Sequence, residues 1–188
     1  MRIAISGTHC CGKSTLVEAF LRGHQNYQHE PEAYEALEDL FGETFAAEPS
    51  ADEFYQQLEY QLGRLAEYRA GECVIFERSP LDYIAYLQAL GELGRAGASE
   101  ELTEQAHEVA PDAIRRLDLI VYLPLEGELA SAGDVEDPKL RWAVDERLAG
   151  ILLDDDLGLF TTSRPKVIEA RGTTPQRLRT VESALLVR

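Results

Sequence analysis

The stretch that decides the fold is residues 2–15, Arg-Ile-Ala-Ile-Ser-Gly-Thr-His-Cys-Cys-Gly-Lys-Ser-Thr. Its first five residues are mostly apolar and include two β-branched isoleucines, which is typical of a short buried strand. Helical spacing of apolar residues begins directly afterwards, at Leu16. Between them, Gly7-x-x-x-x-Gly12-Lys13-Ser14 matches the phosphate-binding loop pattern in full, in the strand-then-helix context that gives the pattern its meaning.

This loop predicts a nucleotide site. Its glycines permit a tight turn in which successive backbone N–H groups converge on phosphate oxygens, and the helix that follows adds its positive end. We expect Lys13 to contact the β- and γ-phosphates, the Ser14 hydroxyl to coordinate Mg²⁺, and Thr15 to support the α- or β-phosphate. The other positions expected to surround the nucleotide are Gly7, Thr8, His9, Cys10, Cys11 and Gly12. The predicted cofactors are therefore ATP and Mg²⁺.

Three adjacent residues of the loop, His9, Cys10 and Cys11, are also potential metal ligands. Adjacent residues on a loop wrapped around a phosphate cannot all aim at one ion, so we do not expect a metal site there. A thiol beside this positive loop is expected to have a lowered pKa, which would make the site sensitive to oxidation or alkylation.

Strand and helix patterns alternate along the rest of the chain. Short strands are predicted at residues 26–30, 73–77, 118–123 and 166–170, and each is followed by a helical pattern. Parallel strands need crossover connections, and these are usually helical. The sequence therefore predicts an α/β fold in which helices cover both faces of a five-stranded parallel sheet.

The composition limits the class of protein. The 188 residues include 34 acidic and 18 basic side chains, which gives a formal charge of −16 and predicts one domain over residues 1–188. Such a field repels nucleic acid and anionic membranes, so neither is an expected partner. No apolar run is long enough to span a bilayer, and three cysteines cannot form a disulfide framework. These features predict a cytoplasmic protein.

The segment 126–147 is the least regular part of the sequence. Glycine, serine and acidic residues collect between the fourth strand and the helix around Trp142, and this pattern is interpreted as a mobile lid. In the helix that follows the lid, Arg141 is a candidate for contacting the nucleotide and Arg147 is a candidate for contacting the acceptor. The alternative for both arginines is ordinary solvated charge.

Two further motifs carry a family resemblance. Residues 74–82, Val-Ile-Phe-Glu-Arg-Ser-Pro-Leu-Asp, resemble the Glu-Arg-Ser or Asp-Arg segment of P-loop deoxynucleoside kinases and of ribosylnicotinamide-kinase-like proteins. Glu30-Pro31-Glu32 resembles the Glu-Pro pair at the end of the second strand in deoxynucleoside kinases. The resemblance implies a P-loop NTPase fold with strand order 2-3-1-4-5, a general-base role for Glu30, and adenine contacts from Gly172 and Thr173.

The same motifs supply the other candidate site residues. Glu77 is expected to hold Mg²⁺ with Ser14 and could compete with Glu30 as the base, while Arg78 is expected to offset charge on the transferred phosphate. A structural Glu77–Arg78 ion pair remains the alternative. Two more residues are candidates for binding the acceptor. Tyr34 lies near Glu30, and Asp82 could bind a substrate hydroxyl or cap the helix that begins near Ser79.

The sequence therefore favours an ATP-dependent kinase that acts on a small hydroxylated, nucleoside-like acceptor. A GTP switch is disfavoured because no Asn-Lys-x-Asp segment is present, and a transport ATPase because no Leu-Ser-Gly-Gly-Gln-like segment is present. The alternative is a non-catalytic or slowly hydrolysing ATP-binding regulatory module. The acceptor, the choice between ATP and GTP, and whether apolar helix positions form a homodimer face or core remain open.

Overall fold

A computed structural model describes residues 1–42, 50–95, 99–126, 137–160 and 165–186. Its five strands are β1 (Arg2–Ser6), β2 (Gln28–Glu30), β3 (Val74–Glu77), β4 (Leu119–Tyr122) and β5 (Lys166–Glu169). All neighbouring strands are parallel, and their order across the sheet is β2-β3-β1-β4-β5. The predicted strand order is therefore confirmed.

Helices connect these strands. They are α1 (Lys13–Gly23), α2 (Ala33–Phe41), α3 (Ala51–Glu67), α4 (Pro80–Glu92), α5 (Ser99–Ile114), α6 (Pro138–Ala149), which continues as a π-helical turn (Gly150–Asp154), and α7 (Thr174–Leu186). Local signals in the sequence fix several of their ends. Ser50 caps α3 in a reciprocal capping box with Glu53, and Pro80 opens α4 at its first position.

The sheet lies between two apolar cores, which gives three layers. Ala4, Phe76 and Ile120 belong to the core shared with α3, α4, α5 and α6. Ile5 and Val121 belong to the opposite core, which is shared with α1 and α7. Successive side chains of a strand point to opposite faces, so the continuously apolar strands of this sequence fill both cores.

The same alternation decides where the acidic residues at the strand ends point. Glu77 follows Phe76 and so shares the face of Ile75, which is the face covered by α1. Glu30 is the register partner of Phe76 in the neighbouring parallel strand, so it shares the face covered by α3. Two carboxylates that both end strands at the same edge of the sheet therefore point to opposite layers.

Asp82 joins the first turn of α4 to the phosphate loop. Its side chain is completely buried, with Oδ1 accepting from Gly7 N at 2.9 Å and Oδ2 accepting from the backbone N and the hydroxyl of Ser79 at 2.8 and 2.9 Å. A carboxylate in this position is not available to a substrate hydroxyl. The structure therefore corrects the substrate-binding role suggested for Asp82 and gives it the capping role.

Two further sequence expectations concern the predicted lid and the lack of a membrane-spanning segment. The segment predicted as a lid, 126–147, includes residues 127–136, which lie outside the described residues, so only Glu126 and residues 137–147, mostly in α6, are described. Among the residues that are described, no helix combines the length and apolar character needed to cross a membrane.

We expect Asp82→Ala to lower the free energy of unfolding by about 3 kcal/mol, because it leaves buried donors on Gly7 and Ser79 without an acceptor. Urea denaturation measures this change. Asp52→Ala, at an exposed acidic position in the first turn of α3, is the matched control and should change stability by less than about 0.5 kcal/mol. Equal effects of the two substitutions would contradict the role assigned to Asp82.

Candidate active site

The phosphate loop runs from the end of β1 into α1 and is tightly packed. A Cβ atom on Gly7 would lie 2.8 Å from the carbonyl oxygen of Leu123, so only glycine fits there. Gly12 has a φ of 94° and Cys10 a φ of 53°, both in the left-handed region. That conformation is uncommon for a residue with a side chain such as Cys10, and it is maintained by the contacts around the loop.

Basic side chains donate hydrogen bonds to the carbonyls of the loop. The donors are Arg78 Nη1 to the carbonyl of Gly7 at 3.5 Å, Lys13 Nζ to Thr8 at 3.1 Å, Arg141 Nε to His9 and Nη2 to Cys10 at 3.0 Å each, and Arg177 Nη1 to Cys11 at 2.7 Å. Five consecutive carbonyls therefore accept from cations. Within the described part of the chain, the backbone N–H groups of Cys10 and Gly12 have no acceptor, which leaves them available to an anion.

The four cations concentrate positive charge in an acidic chain. Lys13, Arg78, Arg141 and Arg177 are each at most 6% exposed, and they come from α1, the end of β3, α6 and α7. Long-range repulsion from a net charge of −16 is screened by salt, whereas charges buried at the loop are screened much less. The local site can therefore favour a polyphosphate although the whole chain is acidic.

Ser14 and Glu77 form the predicted metal position. The Ser14 hydroxyl, on the exposed first turn of α1, donates to Glu77 Oε2 at 2.7 Å. Glu77 Oε1 lies 2.9 Å from His29 Nε2, and this hydrogen bond raises the pKa of His29. One hydroxyl and one carboxylate at the edge of a phosphate loop fit the oxygen ligands that Mg²⁺ prefers, with phosphates and water completing the shell.

Glu32 lies at the centre of the charged cluster and was not singled out by the sequence. Its Oε1 is 2.8 Å from Lys13 Nζ and its Oε2 accepts from Arg78 Nε at 2.9 Å. Burial alone would raise the pKa of Glu32, but the charges of Arg78 and Lys13 outweigh burial and lower it to about 2. Glu32 precedes α2 without capping it, so its carboxylate is free to reach the loop.

Glu30 makes different contacts. Its carboxylate accepts two hydrogen bonds from Arg64 of α3, at 3.0 and 2.5 Å, and one from the Tyr68 hydroxyl. Burial would raise the pKa of Glu30, but these hydrogen bonds outweigh it and lower the pKa. Strand alternation directs Glu30 to the α3 layer, whereas Glu32, two residues beyond the last β2 residue, meets the loop.

Arg78 is held in a strained conformation beside Glu32. Its φ of 71° is unusual for a non-glycine residue, and Gln61 Nε2 donates to its carbonyl at 2.7 Å. Its guanidinium lies over the ring of Tyr86, 5.0 Å from the centroid, and the Tyr86 hydroxyl accepts from the backbone N–H of His9 at 3.0 Å. The turn after β3 therefore directs Arg78 to the loop, as expected of a residue that neutralises phosphate charge.

The arginines of α6 separate into two roles. Arg141 is 2% exposed and reaches the loop through its carbonyls. Arg147 is partly exposed and pairs with Glu92 at the last residue of α4. The thirteen residues of α4 extend about 18 Å from Pro80, near the phosphate loop, to Glu92. The acceptor-binding role suggested for Arg147 is therefore not supported by its position.

The loop after β5 lies beside the phosphate loop. Gly172 N donates to the Glu126 carboxylate, and the backbone N and hydroxyl of Thr173 donate to Gln176 Oε1 at 2.8 and 2.9 Å. These contacts are those of a loop that connects β5 to α7 and caps the start of that helix, so an adenine contact remains a prediction. Arg177 in the same helix reaches Cys11, and no sequence signal distinguishes it from its neighbour Arg179.

Three other predicted residues are placed by the structure. Burial raises the pKa of Cys11, which corrects the expectation of an acidified thiol at that position, whereas Cys10 is exposed. Tyr34 is 36% exposed, and burial raises its pKa to about 12 with further contributions from Glu32 and Glu35. Thr15 is exposed on the first turn of α1, at the end of the loop.

The fold has counterparts among solved structures. A NadR protein in complex with NR is 20% identical with a TM-score of 0.69, covering 98% of this chain and 50% of the NadR chain. Thymidylate kinase from Candida albicans is 15% identical with a TM-score of 0.70, covering 98% and 90% of the two chains. Deoxyadenosine kinase from M. mycoides with bound dATP is 16% identical with a TM-score of 0.66, covering 99% and 100%.

These similarities at low identity establish the fold, and the chain spans half the length of the NadR chain. No curated protein matches the sequence. A family model described as AAA domain matches residues 2–177, which is nearly the whole chain. The chain therefore belongs to this AAA domain family and has the P-loop fold shared by the nucleoside and nucleotide kinases named above.

Proposed function

We propose that this protein transfers the γ-phosphate of ATP to a hydroxyl group of a small, nucleoside-like acceptor. The observation that carries the proposal is the buried cluster of Lys13, Glu32 and Arg78 beside the phosphate loop. It combines two cations that can neutralise a transferring phosphate with one carboxylate that can orient a hydroxyl. Phosphoryl transfer needs these functions and no covalent catalysis.

The donor side of the site consists of the loop amides and their cations. Lys13 contacts the β- and γ-phosphates, and Ser14 and Thr15 follow on the first turn of α1. Ser14 and Glu77 would hold Mg²⁺, which supplies further charge neutralisation at the phosphates. His29 keeps the Glu77 carboxylate oriented towards Ser14 through its hydrogen bond.

Glu32, rather than Glu30, is the proposed acceptor base. In the described structure both of its oxygens are engaged, one by Lys13 and the other by Arg78. When Lys13 turns to the phosphates, one of the two cations that lower the pKa of Glu32 leaves, so Oε1 becomes available and more basic. Nucleotide binding thereby prepares the carboxylate for the acceptor hydroxyl.

The transfer step needs no reactant other than ATP and the acceptor. The acceptor oxygen forms a bond to the γ-phosphorus while the bond from that phosphorus to the β–γ bridging oxygen breaks, and ADP leaves. The hydroxyl proton goes to Glu32. Arg78 neutralises charge on the transferring group, and a carboxylate of modest basicity suffices because a loose transition state needs orientation more than proton abstraction.

Resemblance supports a nucleoside-class acceptor, and the net charge supports an acceptor that is not a polyanion. The similar solved structures hold NR or dATP, and one is a thymidylate kinase. A chain of charge −16 favours an uncharged or cationic acceptor over a polyanion. Tyr34, partly exposed near Glu32, is the residue proposed to contact it. A nucleoside monophosphate and an aminoglycoside remain alternatives to be tested.

The first prediction from the proposed function concerns turnover. With Mg²⁺-ATP, we expect ADP release at an enzyme-like rate only when the matching acceptor is present, in a panel of nucleosides, nicotinamide riboside, nucleoside monophosphates and aminoglycosides. Lys13→Ala should abolish the signal because it removes the contact with the β- and γ-phosphates. Tight ATP binding with slow hydrolysis that no acceptor stimulates would instead favour the regulatory module.

The second prediction separates the two glutamates. Glu32→Gln should lower kcat by about 100-fold or more while ATP still binds, because the hydroxyl loses its orienting carboxylate. Glu30→Gln is the matched control, since it removes a carboxylate near the same strand end that contacts Arg64 and Tyr68 rather than the loop. A larger loss of kcat in Glu30→Gln than in Glu32→Gln would assign the base to Glu30.

The third prediction concerns acid stability. Glu32 has a folded pKa of about 2 against an ordinary value of 4.5, so its contribution is fully present above pH 4.5 and is lost as the pH falls towards 2. The contribution is on the order of 3 kcal/mol. Urea unfolding across this window should show a smaller acid loss in Glu32→Gln than in Glu59→Gln, an exposed control on α3. Parallel curves for the two variants would contradict the assignment.

A further inference from the structure

Arg177 connects the last helix of the fold to the phosphate loop. It lies on the first turn of α7, is 4% exposed, and donates from Nη1 to the carbonyl of Cys11 at 2.7 Å. The two residues are 166 positions apart in the sequence. Because the two residues lie so far apart in the sequence, the local motif of the loop does not predict this buried contact.

The contacts of the Arg177 side chain are not those that would best stabilise the folded state. Within the described residues, Nε and Nη2 of Arg177 are buried without a hydrogen-bond acceptor, and the Glu126 carboxylate is 3.6 Å from Nη2. A buried guanidinium with unmade hydrogen bonds opposes folding, and an apolar side chain of similar length at such a position is often neutral or stabilising. The reason for an arginine here must therefore be sought in what it does to the loop.

The held carbonyl belongs to the peptide group that joins Cys11 to Gly12. A trans peptide is planar, so a carbonyl fixed on one side fixes the Gly12 N–H on the other. Gly12 has a φ of 94° and no Cβ, which leaves this peptide free to rotate unless something outside holds it. The Gly12 N–H is one of the loop amides without an acceptor in the described part of the chain.

We propose that Arg177 is a positioning residue of the nucleotide site. It holds the Cys11–Gly12 peptide in the orientation in which its N–H faces the phosphates, and it acts through the loop instead of contacting the nucleotide. Arg141 acts in the same way on the two preceding carbonyls, so the pair preorganises three successive peptide groups. This inference rests on the proposed function only in requiring that the loop binds nucleotide phosphates.

Calorimetric binding of MgATP and of magnesium tripolyphosphate, which has no nucleoside, tests the proposal. Arg177→Met should weaken both ligands by a similar factor of about ten, the effect of one lost hydrogen bond in an ordered anion site. Its ligand-free melting temperature should change little. Arg177→Lys, which keeps one donor, should restore part of the affinity, and Arg179→Met, at an exposed position of the same helix, should bind as the unmodified protein.

Three outcomes would overturn the proposal. Unchanged affinity in Arg177→Met would show that the loop is ordered without it. Loss of MgATP affinity with tripolyphosphate binding intact would mean that Arg177 contacts the nucleoside directly. A large fall in melting temperature with no rescue by lysine would make its role structural. Failure of every acceptor in the turnover assay, with these binding results intact, would refute the kinase proposal and leave this inference standing.

Discussion

The arrangement on which the site depends is the set of hydrogen bonds from buried cations to five consecutive carbonyls of the phosphate loop. A loop that presents N–H groups to an anion must turn its carbonyls away, and buried carbonyls need donors. Here the donors are Lys13, Arg78, Arg141 and Arg177, which come from four different parts of the chain. The loop conformation is therefore a property of the whole fold, since the surrounding elements must pack correctly to hold it.

The use of cations as hydrogen-bond donors to the loop carbonyls has a second consequence. The same side chains that order the loop also give it a positive field inside a strongly acidic protein, and a buried field is weakly screened. Glu32 partly neutralises that field through Lys13 and Arg78. An anionic ligand that draws Lys13 away from Glu32 changes the charge balance at the neighbouring carboxylate. In the proposed reaction, donor binding and acceptor activation would therefore be linked through one lysine.

The two glutamates near the end of β2 show how backbone geometry divides chemistry between similar residues. Glu30 belongs to the strand and follows its alternation into the α3 layer, where Arg64 and Tyr68 bind it. Glu32 lies beyond the strand, where Pro31 and the start of α2 redirect the chain towards the loop. A Glu-Pro-Glu segment therefore supplies one carboxylate to the packing of α3 and one to the candidate active site.

The sequence by itself determined the strand order, the approximate strand positions and the phosphate loop, because each follows from local periodicity, a short motif or a recognised family pattern. It also named Ser14 and Glu77 as neighbours in one expected metal site, and the two side chains are hydrogen-bonded in the structure. It did not distinguish Glu32 from Glu30, Arg177 from Arg179, or the capping role of Asp82 from substrate binding. Those distinctions depend on which face a side chain occupies and on partners as many as 166 residues away. Only the tertiary structure decides them, since β2 ends at Glu30 and the chain is redirected before Glu32, and no local signal records the contacts of distant helices.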